Sequence, residues 1–177
     1  HYPIHLWENQ ELYPLEIAFL YPHQSLPASA DPYDEASYKP YQREYYAQTR
    51  LNNAALEFIE RTNEQPFFLY LAYASPHAAL QVPDEELAQY STFDETPYTA
   101  KRNYLPHPKP RAARAAMISN IDHSVGAIMD RLEELEISEN TLIIFSSDNG
   151  PTPEGGGDME FFDSNSIYRG YKRDLYE

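Results

Sequence analysis

Residues 140–150 read NTLIIFSSDNG, and this stretch indicates the fold. Its apolar part, residues 141–145, is a continuous run of strand length, and such runs are typical of strands that are buried on both faces. The run passes directly into the polar residues 146–150. An earlier stretch has the same design, because the apolar residues 66–73, PFFLYLAY, lead into SPH at residues 75–77. We therefore predict two buried strands, each followed by a polar loop.

Helical patterns precede both predicted strands. Apolar residues spaced by three and four predict helices over residues 41–62 and 111–136. Gly126 interrupts the second pattern, and we expect it to allow close packing on a sheet. Residues 78–110 are broken by prolines and are predicted to form a long loop that is either functional or lies over a surface. The alternation of helices and strands predicts an α/β fold with a parallel sheet, in which ligands gather at the carboxyl ends of strands.

Composition excludes several classes of function. The net charge is −15, from 28 acidic and 13 basic residues, so the chain lacks the basic excess of a nucleic-acid surface. No apolar run approaches the roughly 20 residues of a membrane span. The absence of cysteine excludes disulfides and thiolate metal sites within these residues. A small anion held by a local basic or metal site remains compatible with the global charge.

Tyrosine and proline are abundant, with 16 and 15 residues. Five tyrosines crowd residues 33–46. Such rings stack on carbohydrate in many glycan-handling surfaces, and they also pack loops onto domains, so both interpretations stay open. Residues 1–40 are predicted to be irregular, with short extended pieces, because prolines interrupt them repeatedly.

Two polar residues follow the second predicted strand. Asp148 and Asn149 offer oxygen ligands that suit calcium or magnesium, although Asp, Asn and Gly also favour turns. A complete site for such a cation needs further ligands. The sequence leaves a metal site and a simple turn as alternatives.

Other candidates lie elsewhere. His77 follows the first predicted strand and could act as an acid, a base or an oxyanion donor, or it could bond only to backbone. Lys172 lies in a basic patch and could neutralise a bound sulfate or phosphate, or it could be an ordinary exposed lysine. Residues 155–157, GGG, lack the Lys and Ser or Thr that follow in a phosphate loop, and they are predicted to be a flexible loop. His107 is interpreted as a structural or surface residue.

Taken together, these motifs resemble the type I sulfatases of the alkaline-phosphatase superfamily. The pieces that carry the resemblance are residues 75–77, 116–126, 140–151 and 169–177, the last reading RGYKRDLYE. The resemblance implies part of a three-layer α/β domain, with a mostly parallel sheet flanked by helices. We interpret residues 1–177 as a single partial catalytic domain, in which residues 1–63 form the Tyr/Pro-rich segment plus a helix and residues 64–177 form the core. Both ends look cut, as expected of an internal fragment.

The resemblance also implies roles for the candidate residues. It makes Asp148 and Asn149 ligands of a calcium ion, and it makes His77 and Lys172 the catalytic residues that hold the sulfate ester and assist its leaving oxygen. The nucleophile of the family is a formylglycine hydrate, made from the first residue of a Cys/Ser-x-Pro-x-Arg motif. This chain has no such motif, since residues 25–29, SLPAS, end in Ser where Arg is required. The paired N-terminal aspartates of the metal site are also missing, so we expect the fragment alone to be inactive.

The resemblance predicts a sulfuric ester hydrolase that is similar to arylsulfatases and acts on a sulfated small molecule or, more specifically, a sulfated glycan. Two alternatives are a phosphate or phosphonate ester hydrolase of the same superfamily and a non-catalytic glycan-binding relative. Many bacterial members are exported, so a periplasmic or secreted location is expected.

Overall fold

The computed structural model describes residues 2–15, 18–43, 45–101 and 103–176. Strands β1 (His5–Glu8) and β2 (Glu11–Pro14) form an antiparallel hairpin, in which Glu8 lies opposite Glu11. The turn between them places Asn9 at φ 56°, a left-handed conformation that asparagine tolerates. This hairpin agrees with the short extended pieces predicted near the start of the chain.

Three α-helices follow within the described ranges: α1 (Ala47–Thr62), the short α2 (Asp84–Leu87) and α3 (Pro110–Glu134). Short 3-10 helices occur at Glu35–Tyr41, Ala88–Tyr90, Ser138–Asn140 and Glu154–Gly156. Both long helices were predicted from apolar spacing, and both are present. None of the helices in the described part of the chain combines the length and the apolar character needed to cross a bilayer.

Helix α1 packs against α3. Ile59 of α1 is 1% exposed, and Arg131 of α3 pairs with Glu60 of α1 at 3.3 Å. The buried Gln48 also donates from its Nε2 to the Ser124 hydroxyl, at 3.4 Å. These contacts fix the first long helix across the second.

The main hydrophobic core lies between α3 and the segment that follows His77. Its buried members are Leu80, Val82, Ala113, Ala116 and Met117. Leu87 and Tyr90, at the end of α2 and just after it, pack against this core. Burial of these side chains is the main favourable contribution that holds the loop region onto the helix.

The long segment 78–110 is mostly irregular, as predicted, but several contacts tie it down. Tyr98 and His107 exchange backbone hydrogen bonds of 2.9 Å in each direction. The Glu95 carboxylate accepts from the backbone N–H groups of Arg111 and Ala112, at 3.1 and 2.7 Å. Because these N–H groups belong to the first turn of α3, Glu95 caps that helix from the loop.

A second buried cluster involves the Tyr-rich stretch, and its members are Leu26, Tyr38, Tyr41 and Leu105. The Tyr38 hydroxyl donates to the Pro32 carbonyl at 2.9 Å, and that of Tyr41 donates to the Ser25 carbonyl at 3.2 Å. Burial raises the pKa of both phenols. The packing interpretation therefore holds for these two tyrosines, whereas Tyr33 is 76% exposed.

The predicted burial of the two apolar strands is wrong for this structure. Residues 66–73 and 141–145 form no β-ladder, and among the described residues the named strands are those of the hairpin. Exposure along residues 67–74 alternates with the period of an extended chain, and Phe68 and Leu142 are 87% and 86% exposed. The physical reason is that a strand exists only when a neighbouring strand takes up its backbone hydrogen bonds.

Gly126 also departs from expectation. A Cβ added at this position would meet no atom within 4 Å. No atom therefore packs closely against Gly126, and the prediction of tight packing on a sheet is wrong for the described residues.

Candidate active site

His77 lies in the loop that follows the first apolar segment. Its backbone N–H donates to the Ala74 carbonyl at 2.9 Å, and its ring Nδ1 lies against the Ala78 carbonyl oxygen. The neighbouring Ser75 is buried and shares a 2.9 Å hydrogen bond with the Tyr46 hydroxyl. The loop is thus anchored to the start of α1, while the His77 side chain is exposed.

A cavity of about 310 Å³ opens beside His77. Its walls come from the first turns of α1 and from the loop itself, including Gln48, Leu51 and Ser75. The cavity offers both apolar and polar contacts next to the imidazole, which suits the non-reacting part of a small ligand.

Asp148 and Asn149 lie together after the second apolar segment and are exposed. The Asn149 amide nitrogen donates to the Gly150 carbonyl at 3.0 Å, and the Ser147 hydroxyl donates to the Asn149 carbonyl at 2.9 Å. These bonds are those of a turn, one of the two alternatives that the sequence left open, and both residues are exposed. Within the described ranges no group of three His, Cys, Asp or Glu could hold a metal ion. The two oxygens fit a hard cation in kind but not in number.

The Lys172 segment packs directly on the Asp148 loop. The Lys172 backbone N–H donates to the Pro151 carbonyl at 2.9 Å. A Cβ added to Gly150 would lie 3.3 Å from the Tyr171 carbonyl carbon, so only glycine lets the two backbones approach this closely without displacement. The Lys172 ammonium forms no ion pair with any carboxylate among the described residues.

Two residues that were not predicted connect these loops. The Tyr104 ring meets the His77 ring edge-on, with centroids 5.6 Å apart, and its hydroxyl donates to Glu154 Oε2 at 3.2 Å. The other oxygen of Glu154 accepts from Arg173 at 3.2 Å. Partial burial and the Glu154 carboxylate raise the pKa of Tyr104, so its phenol stays protonated and donates. No periodicity or motif marks Tyr104 or Glu154 in the sequence, because both belong to irregular segments.

The glycine run at residues 155–157 is a packed turn, not the predicted flexible loop. Gly155 is buried at φ 68°, and a Cβ there would lie 2.3 Å from the Ala78 side chain. A side chain at this position would therefore push the turn away from the His77 loop. Arg111 fixes the far end of the turn through Asp158, with hydrogen bonds of 2.9 and 2.8 Å. The hydrogen bond from the Phe161 backbone N–H lowers the pKa of Asp158, and the bonds from Arg111 lower it further.

The structure thus joins the loops of all four predicted site residues. Asp148 and Asn149 adjoin the Lys172 segment through backbone packing, and the His77 loop reaches the same segment through Tyr104 and Glu154. The geometry is therefore compatible with the prediction that the loops of these residues lie close together. Their assignment as catalytic and metal-binding residues stays a prediction.

Comparison with known proteins identifies the family. The profile of the Sulfatase family matches residues 2–177, and the chain belongs to that family. It is 31% identical over 133 residues to an N-acetylgalactosamine-6-O-sulfatase of Bacteroides thetaiotaomicron, covering 72% of this chain and 22% of the relative. It is 34% identical over 142 residues to an arylsulfatase of Hemicentrotus pulcherrimus, covering 78% of this chain and 21% of the relative.

Structural comparison agrees. The chain resembles Ps i-CgsB, solved in complex with k-i-k-neocarrahexaose, with a TM-score of 0.53 and 30% sequence identity. The match covers 67% of this chain and 24% of that one. Family and structural likeness together imply the α/β fold of alkaline-phosphatase-like enzymes. The chain spans about a fifth of the length of the two relatives named above.

Proposed function

We propose that this chain forms part of the catalytic domain of a sulfuric ester hydrolase. One observation supports the proposal. The chain matches the Sulfatase family from residue 2 to residue 177, and in the same chain the Asp148 loop, the Lys172 segment and the His77 loop are joined by contacts. Residues 1–177 would form one partial domain, with its core in residues 64–177. In the complete protein, the two apolar segments would be strands of a mostly parallel sheet between layers of helices.

The side chains suit sulfate-ester chemistry. The Lys172 ammonium, which no carboxylate within the described residues neutralises, would attract the sulfate group and balance its charge. The exposed His77 imidazole would hold the ester and donate a proton to the departing oxygen. The cavity beside His77 would receive the alcohol portion of the ester.

Asp148 and Asn149 would hold a calcium ion together with ligands from outside these residues. Bound calcium would supply electrostatic stabilisation to the negative charge of the sulfate group. The pair fits this role because both residues are exposed and their side-chain oxygens are of the hard type that calcium prefers.

The nucleophile would come from elsewhere. The chain contains no cysteine and no Cys/Ser-x-Pro-x-Arg motif, so it cannot itself supply the formylglycine. We propose that it works within a longer protein and that these residues alone release no sulfate.

A sulfated glycan is the proposed substrate class. Two observations on other proteins support it: one relative is named an N-acetylgalactosamine-6-O-sulfatase, and the structural neighbour was solved in complex with k-i-k-neocarrahexaose. A periplasmic or secreted location would suit such a substrate.

The test is ester hydrolysis by a protein that contains this chain together with a matured formylglycine. An aryl sulfate and the matching aryl phosphate are compared, with calcium present. Faster release of sulfate supports the proposal. Faster release of phosphate would assign the protein to the phosphate or phosphonate ester hydrolases of the superfamily. If neither ester is hydrolysed and sulfated oligosaccharides are bound but not cleaved, the result would favour a non-catalytic glycan-binding relative.

A further inference from the structure

Glu154 occupies an unusual position among the site loops. Each of its two carboxylate oxygens accepts one hydrogen bond, from the Tyr104 hydroxyl on one side and the Arg173 guanidinium on the other, both at 3.2 Å. Its partners are far apart in the sequence, and each stands next to a different part of the candidate site. Tyr104 contacts the His77 ring, and Arg173 directly follows Lys172.

The backbones of both partners are strained. Tyr104 adopts φ 64° and Arg173 adopts φ 81°, a left-handed conformation that bulky residues rarely occupy. Such conformations persist only where surrounding contacts hold them, and they concentrate at functional sites. Tyr104 is held further by His23, whose ring lies 5.7 Å away and whose Nδ1 accepts from the Tyr104 backbone N–H at 3.3 Å.

An ordinary surface ion pair would not explain this arrangement. Arg173 is 79% exposed, so its attraction to Glu154 contributes little to folding stability. Glu154 is only 24% exposed, and its neighbour Gly155 lies tightly against Ala78. The carboxylate is therefore held by the turn, from which it can orient both of its partners.

We propose that Glu154 is a positioning residue, which holds the His77 loop through Tyr104 and the Lys172 segment through Arg173. This inference rests on the proposed function of His77 and Lys172. Glu154 itself touches neither the ester nor the nucleophile in this scheme. It sets the distance between the group that binds sulfate and the group that protonates the leaving oxygen, and small errors in such distances cost large factors in rate.

The first experiment needs no activity. NMR spectra of the complete protein that contains this chain are recorded for wild type, Glu154→Gln and Glu57→Gln, the last being an exposed glutamate on α1. We expect Glu154→Gln to shift both the His77 ring signals and the Lys172 and Arg173 amide signals, while Glu57→Gln leaves them unchanged. If either the His77 signals or the Lys172 and Arg173 signals stay in place, Glu154 does not link the two loops and the inference is overturned.

The second experiment measures kcat and KM for an aryl sulfate in the protein that also carries the nucleophile. Glu154→Gln should lower kcat/KM by about 10- to 100-fold, whereas Glu57→Gln should leave it within about twofold. Adding Tyr104→Phe to Glu154→Gln should cost less than about twofold more, because the two residues act through one bond. Full additivity of the two substitutions would contradict the inference. Absence of sulfate hydrolysis in wild type would instead remove the proposed function, and the NMR result would still decide whether Glu154 joins the loops.

Discussion

Truncation of Met117 tests the packing that supports the His77 loop. Met117 lies on α3, is 0% exposed, and contacts the core cluster that includes Leu80 and Val82. Those two residues follow the His77 loop closely in the chain, so this core fastens the loop region to the helix. Met117→Ala removes the thioether and its terminal methyl group and leaves a cavity between the two.

The expected cost follows from complete burial. Returning a buried methionine side chain to water costs about 1.5–3 kcal/mol, and the cavity that remains adds to this. Substitutions of this kind cost about 2–5 kcal/mol in total, and we expect about 3 kcal/mol for Met117→Ala. For a chain of this size the melting temperature should then fall by roughly 6–12 °C.

The assay is urea unfolding followed by circular dichroism, with two matched variants. Met129→Ala changes the same residue type on the same helix at a position that is 52% exposed, and it should cost less than about 1 kcal/mol. Met117→Leu nearly keeps the side-chain volume and should cost less than about 1.5 kcal/mol. Equal losses for Met117→Ala and Met129→Ala would mean that the core does not depend on the Met117 side chain.

Four further predictions concern pH, buried polar contacts and calcium. Burial lowers the pKa of His107 from 6.5 to about 4, so this histidine takes up its proton at a higher pH in the unfolded chain than in the folded chain. The free energy of unfolding should therefore drop by up to about 3 kcal/mol as the pH falls from 6.5 to 4. Urea midpoints of His107→Gln should lack this portion of the pH dependence. Tyr46→Phe leaves the buried Ser75 hydroxyl without its 2.9 Å partner and should lower the unfolding free energy by about 1–2 kcal/mol, measured by urea unfolding, whereas no change would mean that the bond does not form. Arg111→Ala removes both bonds to Asp158 and should lower the melting temperature more than Arg61→Ala, since Arg61 is exposed. Asp148→Asn should weaken calcium binding in calorimetric titrations of the complete protein, and the exposed Asp122→Asn should not, so equal affinities would remove Asp148 from the metal site.

The long helices were predictable because their signal is local. Apolar residues spaced by three and four predicted helices over residues 41–62 and 111–136, and the structure has Ala47–Thr62 and Pro110–Glu134. The first prediction began too early because Tyr46 is extended, with φ −97° and ψ 121°. Proline suits the first turn of α3, where its missing N–H has no partner to lose.

The strands were less predictable because their signal is not local. The composition of residues 66–73 and 141–145 is that of buried strands, but pairing and burial depend on other parts of a protein. Phe68 and Leu142 remain exposed, since no element among the described residues packs over their side chains. The same limit applies to Gly126, whose packing depends on what faces it.

The candidate site divides in the same way. His77, Asp148, Asn149 and Lys172 were selected because they follow apolar segments or belong to family motifs. Tyr104 and Glu154 belong to no such pattern. The left-handed backbone conformation of Tyr104 and the two hydrogen bonds of the Glu154 carboxylate arise from tertiary packing. The residues that belong to a sequence pattern were thus predictable, whereas the residues that link their loops were not.

The most direct test of the sulfatase proposal is the effect of Lys172→Ala on kcat/KM for an aryl sulfate, in the complete protein with a matured formylglycine. Lys101→Ala, an exposed lysine within the long loop, is the matched control. We expect a large loss of sulfate release for Lys172→Ala and none for Lys101→Ala. Equal activity of the two variants would contradict the proposal, because the ammonium beside the Asp148 loop would then have no part in holding the sulfate.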